Sequence, residues 1–319
     1  MAVAIIEDNK VVYNKGFGSC YMVTCEAATV DQQFRAASLS KMFVSTVVFH
    51  LIGEHRLSLK SPLSRYTHRW PRFGNVTLEQ LLSNRSGIRD FLTLATPAML
   101  ARSITPTELI SLASKASLEF SPGSRYAYSN TNFVLLGLLV ETITKQSLSE
   151  NETRLILKPC DMQSSFFERS PKLGIVNRMV KSSAVSSDRA LDASWLFAAG
   201  DLVTTTRDLA KFDVAFMNGL LLDGSALHLI SSGGSRLNSG TYYTLGFIRT
   251  DVGVLNAVGH HGGMPGVAAE DEMFLKNKFA IIVLGNKATF STSAVYSAVF
   301  SKVCPINLLE AFVSKVFTH

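Results

Sequence analysis

Three short motifs carry residues able to do acyl chemistry: Ser38-Leu39-Ser40-Lys41, Tyr128-Ser129-Asn130 and His260-His261-Gly262. Together they offer a hydroxyl nucleophile, an amine and a phenol to carry its proton, an amide to position a carbonyl, and a strand backed by glycine. Ser-x-x-Lys alone is weak, because Ser38 reads equally well as a helix N-cap. The spacing to Lys41 changes the weighing. Three residues on, it shares a helix face with Ser38, and in the first helical turn the positive end of the dipole disfavours an ammonium and lowers its pKa. Such a lysine is poorly placed for stability and well placed to act as a base.

Tyr128 follows the turn-rich stretch Ser121-Pro122-Gly123-Ser124-Arg125-Tyr126. An extended backbone there projects Tyr128 and Asn130 to one side, a phenol for proton transfer beside an amide for a substrate carbonyl. The plainer alternative makes Asn130 a cap for the helix that follows. Tyr126 competes with Tyr128 but has no Asn two residues on. Adjacent His260 and His261 on a strand point to opposite faces, so the pair does not read as one metal site. One imidazole can face a cleft. Gly262 and Gly263 allow a substrate close to the backbone, and the N–H of Gly263 could join that of Ser38 in an oxyanion hole; a plain turn after the strand is the competing reading.

These residues need elements to hold them. Residues 3–7 and 11–18 flank Asp8-Asn9-Lys10 and read as a β-hairpin. After Ser38 an apolar run to Ile52 reads as a helix buried on most sides. Thr77-Leu78-Glu79-Gln80, Thr105-Pro106-Thr107-Glu108 and Thr205-Thr206-Arg207-Asp208 read as capping boxes that open helices. Residues 132–144 form another mostly apolar helix. Strand patterns return at 242–249, 254–261, 267–274 and 279–284, and helices at 294–303 and 307–316 close the chain. Strands at both ends with helices between them predict an α/β lobe of residues 1–60 and 200–319. An inserted, mainly helical lobe of 61–199 follows, with the active site between the two.

The composition excludes several classes. In 319 residues, 47% are hydrophobic and 18% charged, a globular balance. The net charge of +6 comes from scattered residues, so nucleic acid is not an implied partner. Cys20, Cys25, Cys160 and Cys304 are too few and too irregular for a disulfide scaffold and read as free thiols. With neither a signal peptide nor a membrane-spanning run in view, the chain as given is expected in the cytoplasm, though a trimmed exported protein would look the same.

The motifs and their order resemble the serine β-lactamase and penicillin-binding-protein superfamily, in particular its class C β-lactamase-like branch with esterases, D-aminopeptidases and DD-carboxypeptidases. Five segments carry the likeness: 34–41, 80–88 (Gln-Leu-Leu-Ser-Asn-Arg-Ser-Gly-Ile), 122–130, 199–205 (Ala-Gly-Asp-Leu-Val-Thr-Thr) and 259–263. The resemblance implies an α/β (α+β) fold of β-lactamase/transpeptidase type, an antiparallel sheet flanked by helices with a helical lobe. It implies Ser38 as nucleophile, Lys41 and Tyr128 sharing base and acid duties, Asn130, His260 and Gly262 binding substrate, and the N–H groups of Ser38 and Gly263 holding the oxyanion. His260 stands where many members have the lysine of a Lys-Thr-Gly motif. A histidine there is mostly neutral at pH 7 and fits esterase-like members better than carboxylate-binding ones. The expected partner is a small ester, amide or lactam, and no metal or organic cofactor is implied. No Gly-x-Ser-x-Gly sequence supports an α/β-hydrolase route. A carboxylesterase-type activity stands first, then a β-lactamase or D-amino-acid peptidase, then a catalytically silent protein of the same fold.

Overall fold

The computed structural model describes residues 1–18, 29–169, 191–286 and 291–303. Its strands are β1 (Ala2–Glu7), β2 (Lys10–Gly16), β3 (Phe34–Arg35), β4 (Phe166–Phe167), β5 (Leu202–Thr204), β6 (Ser235–Asn238), β7 (Thr241–Tyr243), β8 (Ile248–Val252), β9 (Leu255–Met264), β10 (Val267–Phe274) and β11 (Phe279–Gly285). The helices are α1 (Ser40–Gly53), α2 (Leu78–Leu82), α3 (Pro97–Leu100), α4 (Pro106–Ser114), α5 (Asn130–Thr144), α6 (Leu148–Glu152), α7 (Thr206–Met217), α8 (Gly224–Ser231) and α9 (Thr292–Val303).

Eight strands form one sheet in the order β2-β1-β11-β10-β9-β8-β7-β6, with every pair antiparallel. The chain's first hairpin is sewn to its last strand through Ala2↔Leu284 to Ile6↔Ala280. A second sheet, β3-β5-β4, braces the approach to Ser38. Alternation along the strands sorts side chains onto two faces. Ala4, Ile6, Ala269, Met273, Ile282 and Leu284 turn inward to the large core shared with α1, α5 and α7. Val3, Ile5, Phe274, Ile281 and Val283 turn outward, where Tyr296 of α9 packs with them. Helix α1 is buried along nearly its whole length, as its unbroken apolar run requires.

Several local expectations are corrected. Residues 242–249 are two strands, because Gly246 at φ +83° brings the backbone against Ser45 and the Lys41 carbonyl. The Thr77 and Thr105 capping boxes form in full, but at Thr205 only half of one does. There Asp208 is drawn off by Ser164 N–H and Ser165 Oγ, both 2.8 Å from Oδ2. Helix α5 begins at Asn130, two residues before the expected start. Cys160 is a free, buried thiol; Cys20, Cys25, Cys304 and the expected helix at 307–316 lie outside the described residues. Among the described residues no helix is long and apolar enough to cross a membrane.

Candidate active site

Ser38 sits in a single 3-10 turn, Ala37–Leu39, that leads directly into α1. The turn is held from several sides. Ala37 adopts φ +45°, left-handed backbone that costs a non-glycine residue on the order of 1 kcal/mol and persists only where neighbours enforce it. Ser40 supplies part of that enforcement, donating to the Ala37 carbonyl at 2.8 Å and accepting from Leu202 N–H at 2.9 Å. The preceding Arg35 makes a bidentate pair with Glu168, fixing β3. The Ser38 side chain is thereby no helix cap; Leu39 occupies that position without a side-chain bond.

Lys41 is completely buried one turn on, and its Nζ lies 3.0 Å from Ser38 Oγ, 2.8 Å from Asn130 Oδ1 and 2.6 Å from the Ala199 carbonyl. Two of these partners, an amide oxygen and a carbonyl, can only accept. A neutral amine that donates to both has its lone pair left for Ser38 Oγ–H. Burial brings Lys41 down to about 7, while the Asp90 carboxylate pulls the other way. Desolvation is the largest cause of that lowering, and Lys41 lies in the first turn of α1 as its spacing implies.

Tyr128 OH lies 2.9 Å from Ser38 Oγ on another side. Tyr128 as a residue remains 37% exposed, yet burial pushes the phenol well above its ordinary value despite the bond to Ser38. At neutral pH it is a proton donor. Asn130 differs from the extended-strand expectation, since Ser129 is extended and Asn130 already helical. Its Oδ1 holds Lys41, and its Nδ2 donates to Asp90 Oδ2 at 2.7 Å. The amide thus orients the base at least as directly as it could orient a substrate.

The Tyr128 loop is clamped to the segment around Gly87. Asn84 Oδ1 accepts from Ser129 N–H and Asn132 Nδ2, and Ser86 donates to Asn132 at 2.6 Å. Gly87 at φ +74° has no room for a Cβ beside the Phe120 carbonyl. On the far side, Arg169 pairs with Glu152 and Asp201 and steadies the segment carrying the Ala199 carbonyl.

Strand β9 closes the site. His260 faces inward and is buried; its Nδ1 meets the His261 carbonyl at 2.7 Å and its Nε2 meets Tyr243 OH at 3.3 Å. The carbonyl requires a proton on Nδ1, so a neutral ring accepts at Nε2. Burial, and then the Lys41 charge, hold His260 well below its ordinary pKa. Tyr126, Tyr128, Tyr243 and His260 form one aromatic wall, with ring centroids 5.6–6.4 Å apart. At Gly262 an added Cβ would collide with the Ala36 carbonyl and crowd Ala269, so glycine is required there for the close approach of β9 to the turn before Ser38. At Gly263 the space is open. Asp90, Asn84, Ser40 and Tyr243 carried no site role in the sequence reading; Ser40 and Asn84 lay within segments that carried the family likeness, and Asp90 and Tyr243 lay outside them.

A family model described as Beta-lactamase matches residues 1–300. The chain belongs to the beta-lactamase family. That membership puts it in the serine hydrolase superfamily of this fold. It is 24% identical over 286 residues to PbpX of Bacillus subtilis (strain 168), whose name assigns it to the penicillin-binding proteins, covering 88% of this chain and 69% of that one. It is likewise 24% identical over 298 residues to Protein flp of Staphylococcus aureus (strain NCTC 8325 / PS 47), where it spans only 59% of the relative. Among solved structures, D-amino acid amidase from Ochrobactrum anthropi SV3 superposes with a TM-score of 0.83 at 22% identity over 96% of this chain and 93% of that one. A penicillin binding protein from Bacillus halodurans gives 0.80 at 19% identity, covering 94% of each. At these identities the likeness is one of fold, and the antiparallel sheet flanked by helices is that fold.

Proposed function

We propose that this chain is an acyl-enzyme hydrolase of ester or amide substrates with Ser38 as its nucleophile. The observation that carries the reading is the pair of contacts at Ser38 Oγ, Lys41 Nζ at 3.0 Å and Tyr128 OH at 2.9 Å, with the lysine near 7. Neutral Lys41 takes the hydroxyl proton as Oγ attacks the carbonyl carbon. Tyr128, kept protonated, gives its proton to the leaving oxygen or nitrogen and is reprotonated from Lys41. Backbone N–H groups of Ser38 and Gly263 stabilise the tetrahedral oxyanion. Water, activated by the same base, then breaks the Ser38 ester and restores the free hydroxyl.

Ser38 and Lys41 come from residues 1–60 and Tyr128 and Asn130 from 61–199, in keeping with a site at the seam of two lobes, a division we also propose. Esters stand first among substrates, because His260 offers no permanent cation for a substrate carboxylate. Amides of D-amino acids are the second reading, favoured by the TM-score of 0.83 to a D-amino acid amidase. A fluorophosphonate probe tests the nucleophile: labelling should occur and vanish in Ser38→Ala, and an unlabelled wild-type protein would favour a silent fold. Rates on p-nitrophenyl esters, a chromogenic cephalosporin, D-alanyl peptides and D-amino acid amides then rank the substrates. Cephalosporin turnover far above ester turnover would reverse the order.

A further inference from the structure

The second histidine of the β9 motif faces away from Ser38 and meets two carboxylates. In the β9–β10 register His261 lies opposite Glu270, and Glu272 follows two residues along the same face. His261 Nε2 is 3.7 Å from Glu270 Oε1 and 3.5 Å from Glu272 Oε1, and one donor atom from each residue lies within 4.8 Å of the others. Glu270 and Glu272 are only 3% and 4% exposed, and the Oε2 atom of each has no hydrogen-bond partner among the described residues. His261 is 45% exposed at its side chain, so the cluster opens to solvent on one side.

We propose that His261, Glu270 and Glu272 bind a divalent transition-metal cation, Zn2+ foremost, on the face of the sheet opposite the nucleophile. Ligand atoms at about 2.0–2.1 Å from a tetrahedral zinc stand roughly 3.3–3.4 Å apart. The separations of 3.5 and 3.7 Å exceed that by a few tenths of an ångström at most. An imidazole with two carboxylates leaves the fourth position for water, and their two negative charges balance the ion. Burial of two carboxylates against one half-exposed imidazolium is otherwise a poor electrostatic arrangement. Thr250 Oγ1 donates to Glu272 Oε1 at 3.0 Å, so that carboxylate is held in place by a neighbouring strand. The ion would tie β9 to β10 and sit beside α9. It touches no atom of the Ser38 site.

The test is calorimetric titration of the metal-free protein with Zn2+, repeated on His261→Ala and Glu272→Gln. One ion per chain is expected, with affinity lowered at least about tenfold in each variant, and a Zn2+-dependent rise in thermal midpoint that His261→Ala loses. His261 is exposed, so its variant keeps the fold if the glutamine variant does not. Absence of binding overturns the proposal. So does binding, or a thermal rise, that His261→Ala leaves unchanged. These readouts do not involve hydrolysis, so they succeed or fail separately from the acyl-enzyme reading.

Discussion

Replacing Lys41 by Met removes the buried amine and keeps most of its hydrocarbon stem. In the unfolded chain that amine ionises at its ordinary 10.5, and in the folded protein at about 7. Between those values the unfolded state holds a proton that the folded state has released, so stability rises with pH across the window. The burial penalty is full below pH 7 and gone above 10.5. From pH 6 to pH 9 the wild-type protein should gain about 2–3 kcal/mol from this group, roughly two pH units at about 1.36 kcal/mol each. Lys41→Met gains nothing from it. The variant also strands the Asn130 and Ala199 acceptors, a loss of about 1–3 kcal/mol per group that does not titrate. Remaining ionisable groups titrate nearly alike in both proteins and largely cancel. Urea unfolding of the two at pH 6 and pH 9 isolates the amine: their stability difference should move by about 2–3 kcal/mol in favour of wild type at the higher pH. A difference constant to within about 0.5 kcal/mol would refute the perturbed lysine, and with it the proposed base.

Tyr128→Phe should lower the acylation rate on a p-nitrophenyl ester by roughly 10²–10⁴ with little change in urea midpoint, and unchanged turnover would require another proton donor. The acidic limb of acylation against pH should lie near 7, and Asp90→Asn should move it lower, because the Asp90 carboxylate raises the Lys41 pKa; a limb moving upward contradicts that. Gly262→Ala should cripple labelling of Ser38 by pushing Ala36, while Gly263→Ala, with open space beyond it, should leave labelling within a few-fold. Equal effects from the two would refute the packing assigned to Gly262.

Much of the scaffold could be read from local pattern. The first hairpin, the buried α1 and the β10 and β11 strands follow from apolar periodicity, which acts within a few residues. Thr77 and Thr105 announced their helices because both partners of each capping box are sequence neighbours. Asp208 failed the same rule because two serines more than forty residues away compete for its carboxylate. Helix α8 and strand β6 went unread, being short and largely solvent-facing. At the site, motif spacing brought Ser38, Lys41 and Tyr128 forward. Asp90 was invisible, since its hold on Asn130 spans forty residues and obeys no spacing. The largest cause of the Lys41 shift is unreadable for a related reason: its burial depends on α5 and the Ala199 segment, whereas a helix dipole is local. His261 shows the limit most clearly. Strand alternation correctly separates it from His260, but its carboxylate neighbours come from the next strand.

The most direct measurement is mass spectrometry of the protein trapped during turnover of an activated ester, digested and sequenced. The acyl mass should be found on the peptide containing Ser38, attached to that hydroxyl, and should be absent from Ser38→Ala. An adduct on any other residue, or undiminished turnover in Ser38→Ala, would contradict the proposal that Ser38 is the nucleophile.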